Sequence, residues 1–81
     1  MNKRIKEFQE KNKIPNEIME LLLQNSILKN DIENNLSFGT GNKKLVEFAK
    51  GNIGYSDLVA LEILDGVNLE IAKKINQIIL K

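Results

Sequence analysis

The chain is predicted to be all-α, a small domain of five or six short helices, and three observations predict it. Apolar residues recur at i, i+3 and i+4 along most of its length. No run alternates with the period of two that a half-buried strand needs. A single proline, Pro15, interrupts the 81 residues. The hydrophobic share of 42% and the charged share of 28% are those of a globular domain rather than a disordered chain. With only 5% aromatic residues, the core must be built from Leu, Ile and Val. The length suits one domain, and without cysteine it depends on helix packing or on oligomerisation.

Residues 2–12 form an amphipathic helix with Ile5 and Phe8 as its apolar stripe. Pro15 suits the first turn of a second helix, where its missing N–H costs nothing. That helix runs from Asn16 to Gln24 with Ile18, Leu21 and Leu22 on one side, and Asn25-Ser26 breaks it. A third helix, about 29–36, places Ile32 and Leu36 at i, i+4. "SFGTGN" then brings two glycines into a turn. The next helix, within "GNKKLVEFAKGN", buries Leu45, Phe48 and Ala49 and shows Lys43, Glu47 and Lys50 on the other side. Thr40 or Asn42 caps it and Gly51 ends it. Ser56 caps a helix over 57–65 that is apolar nearly all round and so should be the most buried, and Asp65-Gly66 stops it. Asn68 caps the last helix, with Glu70 in its first turn and Ile71, Ala72, Ile75, Ile78 and Ile79 as its stripe.

Charge is segregated although the net value is only +1. Residues 1–14 carry +3, 15–40 carry −3, 41–54 carry +2, 55–70 carry −4 and 71–81 carry +3. The bland explanation is a set of solvated faces. The N-terminal "MNKRIKEFQEKNK" lacks the apolar run of a signal peptide, and no apolar run approaches the length of a membrane span. A cytoplasmic location without membrane contact is therefore expected, which the missing cysteines fit.

Catalysis finds little support. There is no histidine or cysteine, which removes the commonest base, nucleophile and metal ligands. The carboxylate pairs Glu17/Glu20 and Glu62/Asp65 read as solvated helix positions. "FGTGNKKL" has glycines and lysines but no Gly-Lys-Ser/Thr, so it is not a P-loop. Gly51-Asn52-Ile53-Gly54 matches the bare G-x-x-G of KH domains, but the sheet such a domain needs is missing. No cofactor, no metal site and no enzymatic activity are expected.

The stretch "IMELLLQNSILKNDIENNLSFGTGNKKLVEFAKGNIGYSDLVALEILDGVNL" resembles the lambda-repressor/Cro-like, or XRE, helix-turn-helix domain, most closely over 43–69. "AKGN" is similar to that family's stop after the recognition helix, "YSDLVALEIL" to its fourth helix and "GVNL" to the ending of that helix. The resemblance implies a helix-turn-helix domain over 15–81, with 1–14 an extra N-terminal helix or arm. It implies a transcriptional regulator of prokaryotic or phage type whose helix 42–50 enters the major groove of double-stranded DNA. Asn42, Lys43, Lys44 and Glu47 would then face base edges, and Lys29, Asn30, Thr40, Lys50 and Asn52 would meet phosphates. Glu47 would repel phosphate unless it accepts from a cytosine amino group. Lys3, Arg4 and Lys6 could wrap DNA as an arm, but Ile5 and Phe8 favour docking of this segment on the core. Such domains usually pair as homodimers, and Ile71, Ile75, Ile78 and Ile79 are the expected dimer surface unless they cover the N-terminal helix. The alternative is a protein-interaction module, such as a phage-type inhibitor, an antirepressor or an antitoxin-like protein, that keeps the fold without binding DNA.

Overall fold

The computed structural model describes residues 2–81 and holds six α-helices, with no strand among the described residues. They are α1 (Lys3–Asn12), α2 (Asn16–Leu22), α3 (Ser26–Glu33), α4 (Thr40–Ala49), α5 (Tyr55–Ala60) and α6 (Gly66–Ile79). The all-α expectation holds.

Three helices stop by the same device. After α1, α3 and α4 a left-handed residue, Lys13 (φ 55°), Asn35 (φ 55°) or Gly51 (φ 83°), turns the chain away. At each stop two backbone N–H groups reach back to the last turn. Ile14 and Lys13 donate to the Gln9 and Glu10 carbonyls, Leu36 and Asn35 to Asp31 and Ile32, and Asn52 and Gly51 to Glu47 and Phe48. This double closure satisfies carbonyls that a helix end otherwise leaves orphaned.

The stops explain where the sequence pattern misleads. α3 begins at Ser26, because the Asn25 side chain accepts from the Leu28 N–H and caps it. Its buried pair is therefore Leu28 and Ile32, and Leu36 lies past the Asn35 stop, exposed. The expected 29–36 helix is displaced toward the N-terminus. α2 ends at Leu22, short of Gln24. α4 is preceded by Gly39 with no side-chain cap, so neither Thr40 nor Asn42 fills that role. α5 also follows a glycine, Gly54, and it ends at Ala60. Its one buried residue is Leu58, while Val59, Leu61 and Ile63 are exposed. The segment expected to be the most buried is thus among the least. Asp65 does not stop a helix but starts one: its carboxylate accepts from the Asn68 N–H at 2.8 Å and caps α6.

The core is aliphatic, with Leu22, Leu28, Leu45, Leu58 and Ile75 fully buried at its centre and Phe48 as its buried aromatic. α6 packs on α2, α4 and α5, and α1 packs on α3. Ile5 is buried and the Phe8 ring meets Phe38 edge-on at 5.7 Å, so residues 2–14 are docked on the core. Ile71 and Ile75 are likewise buried inside the single chain, on the helix that packs on α2, α4 and α5. They cannot form a dimer surface while the chain is folded. Ile78 is half-buried, and of that stripe Ile79 alone is exposed.

A polar cluster sits inside this apolar frame. Asn25, Asn42 and Asn68 join the start of α3, the first turn of α4 and the first turn of α6. The Asn42 Oδ1 accepts from Asn68 Nδ2 at 2.6 Å and from Asn25 Nδ2 at 3.2 Å, and Asn25 also donates to the Asn68 Oδ1. Asn25 and Asn68 are buried, and no buried side-chain N or O lacks a partner among the described residues. Gly41 lets α4 approach the chain before α6: a Cβ there would lie 2.9 Å from the Ile63 carbonyl oxygen.

Candidate nucleic-acid interface

Two connections compete for the helix-turn-helix description. The link expected to serve, between α3 and α4, covers residues 34–39 and is long for such a motif. The link between α2 and α3 is three residues, Leu23, Gln24 and Asn25. That length is the one a helix-turn-helix uses. The short connection is therefore one helix earlier than the one the sequence resemblance indicates, and α1 packs across α3, the helix that follows it.

The two helices present different outward sides. In α4 the buried residues are Leu45, Val46, Phe48 and Ala49. At about 100° per residue, Glu47 stands opposite them, at the centre of the outward side, flanked by Thr40, Lys43, Lys44 and Lys50. Glu47 is held there. It accepts from Asn52 Nδ2 at 2.6 Å and pairs with Lys50 at 3.6 Å. The Asn52 amide, chiefly, with help from Lys50 and Lys43 and against partial desolvation, holds its carboxyl below the ordinary value, so it is an anion at neutral pH. Lys43, Glu47 and Lys50 also line a shallow groove with Phe8, Asn12 and Phe38.

In α3 the buried residues are Leu28 and Ile32. Asn30 stands opposite them, and Ser26, Ile27, Lys29, Asn30 and Asn34 are all exposed. Asn34 Nδ2 donates to the Asn30 Oδ1 at 2.9 Å and to its backbone carbonyl at 2.8 Å. That engages the Asn30 Oδ1 and leaves its NH2 as a donor with no partner among the described residues. Lys29 makes no ion pair among the described residues. Glu33, half-buried, is turned toward α1 and accepts from Asn2 Nδ2 at 3.4 Å.

The expected DNA-facing residues therefore separate into three groups. Lys29 and Asn30 are exposed on α3, and Thr40, Lys43 and the half-buried Lys44 lie at the start of α4. Glu47, Lys50 and Asn52 form one self-satisfied group at the end of α4, with little left to offer a phosphate. Asn42 is committed to the buried asparagine cluster and cannot reach a base edge. Ser26, Ile27 and Asn34 are missed from sequence. The signal that finds them is Asn25 read as a cap, which starts the helix at 26 and sets its outward side.

No group of three or more acidic, His or Cys side chains able to hold a metal ion occurs among the described residues. Among the described residues no helix is long and apolar enough to cross a membrane. Comparison of the chain with protein-family models, with curated proteins and with solved structures finds no match.

Proposed function

We propose that the chain is a double-stranded-DNA-binding regulator of helix-turn-helix type in which α3, rather than α4, enters the major groove. One observation carries this: the outward side of α3 centres on an amide donor, Asn30, beside an unpaired cation, Lys29, whereas that of α4 centres on a carboxylate. A side-chain amide is suited to base edges and a free lysine to phosphate, while a fixed anion opposes the backbone charge of DNA. The three-residue α2–α3 turn supports the same reading, whereas the resemblance to lambda-repressor-like domains assigns the groove to the helix that is α4. Ser26 and Ile27 would lie beside Asn30 in the groove, Ile27 offering apolar contact to a thymine methyl. Lys43 and Lys44 would hold phosphates at its edge.

Fluorescence anisotropy with a labelled mixed-sequence duplex at several salt concentrations tests this. The expected result is a Kd of about micromolar at low salt that weakens steeply as salt rises. Lys29→Glu should weaken binding and flatten the log–log salt slope by about one. Asn30→Ala should leave that nonspecific binding almost unchanged and lose discrimination among selected sequences. Binding abolished by Lys43→Glu/Lys44→Glu but indifferent to Lys29→Glu would return the role to α4. No binding at the lowest salt would end the DNA reading.

A further inference from the structure

The largest mismatch between apolar exposure and folding lies far along the chain from α3. Val59, Leu61, Ile63 and Val67 are 41%, 45%, 37% and 56% exposed. They come from the end of α5, the connection to α6 and its first turn. Single exposed aliphatics need no explanation, but four in one short stretch of a small domain mark a surface that meets something. Asp57, Glu62, Asp65 and Glu70 are interspersed with them and all are exposed. No Lys or Arg occurs between Lys50 and Lys73. Glu70 pairs with Lys73 at 3.4 Å, and Asp65 is engaged in capping α6. Asp57 and Glu62 have no cationic partner among the described residues.

We infer that this surface docks a cationic amphipathic segment of another protein. The charge selects the occupant. Nucleic acid and anionic lipid are repelled by it. A second copy related by a two-fold axis would bring the same four carboxylates against themselves, with Lys73 already engaged by Glu70 and no cation facing Asp57 or Glu62. A segment with lysines or arginines flanking an apolar stripe matches both features, burying the aliphatics while its charges face Asp57 and Glu62. The molecule carries its own counter-example: Ile79 and Leu80 are also exposed, but their charged neighbours in sequence are Lys73, Lys74 and Lys81. The inference does not depend on DNA binding, since none of these residues lies on α3 or α4.

The test is a methyl-resolved NMR titration of the labelled full chain with a synthetic amphipathic peptide of Leu and Lys. A Leu/Glu peptide of the same pattern serves as control. The Leu/Lys peptide should shift the methyls of Val59, Leu61, Ile63 and Val67 and leave Ile79 and Leu80 unmoved. Asp57→Lys/Glu62→Lys changes only exposed side chains, and its circular dichroism should match the parent. That variant should bind about tenfold more weakly, two exposed attractions having become repulsions. Absence of binding, equal binding of the Leu/Glu peptide, or shifts centred on Ile79 and Leu80 would each overturn the inference. So would shifts of the four methyls with the protein's own concentration, which would make the occupant a second copy.

Discussion

Replacing Asn68 by Leu isolates what the buried asparagine cluster contributes. Leu fills nearly the same volume, so the change removes hydrogen bonds without opening a large cavity. Two bonds go: the donation to Asn42 at 2.6 Å and the acceptance from Asn25. The backbone N–H of Asn68 keeps its bond to Asp65, so the cap of α6 survives. Asn25 keeps its contact with Asn42 at 3.2 Å, so no donor is fully orphaned. At about 1 kcal/mol net per bond, with a supplement for the poorly satisfied Asn25 amide, the loss should be about 2–3 kcal/mol. A chain of this length has roughly 4–12 kcal/mol in total, so the effect is large. In urea denaturation followed by circular dichroism the midpoint should fall with the slope unchanged, and in thermal unfolding Tm should drop by roughly 10–20 °C. A loss below about 0.5 kcal/mol would refute the reasoning, because an apolar residue would then serve as well as the amide. A double-mutant cycle with Asn42→Ala supplies a second test: coupling near zero would show that the two amides do not depend on each other.

Three further outcomes are expected. Gly41→Ala should cost about 1–2 kcal/mol despite alanine's better helix propensity, because its Cβ would meet the Ile63 carbonyl oxygen at 2.9 Å; Gly66→Ala, with nothing within 4 Å, should cost nothing. Lys13→Gly should raise thermal stability by about 0.5–1 kcal/mol, since Lys13 holds the left-handed position that glycine takes without strain. Glu47→Gln should give a pH-dependent difference from the parent. The folded carboxyl lies below its ordinary 4.5, so its contribution is fully present above that value and is lost as pH falls through the folded pKa. Urea midpoints of the two proteins should therefore differ at neutral pH and converge as acidification protonates Glu47; divergence on acidification would contradict the Asn52 and Lys50 contacts.

Helix existence was legible from sequence because it rests on spacing: Ile18 with Leu22, Leu45 with Phe48 and Ile71 with Ile75 all face inward as their periods require. Helix ends were less legible, because they rest on single residues with two readings. Asn25 and Asp65 each look like a place where a helix stops, yet each is a cap from which one starts. The Asn25 misreading moved α3 by three residues, carried Leu36 into a false core and hid the outward side on which Asn30 stands. Periodicity also cannot tell whether an apolar residue finds a partner. Val59, Leu61 and Ile63 carry the pattern of a buried helix, but Val59 faces outward on α5 and the helix ends at Ala60, before Leu61 and Ile63. The reverse holds for the C-terminal stripe, whose size suggested a second chain and whose inner residues are consumed by α2, α4 and α5.

α5 is six residues long and has Leu58 as its one buried side chain, with Tyr55 resting half-buried against Phe48 at 5.9 Å. So small an anchorage makes it the helix with least to lose by opening. Its amides should exchange with solvent well before those of α4 and α6, through local fluctuations that leave the rest of the domain intact. A segment that opens independently can be remodelled without spending the stability of the whole. The acidic, apolar surface of this protein thus begins on a lightly anchored helix, at Asp57 and Val59, and ends on the firmly packed α6, at Val67 and Glu70, so one side of it can give while the other holds its position.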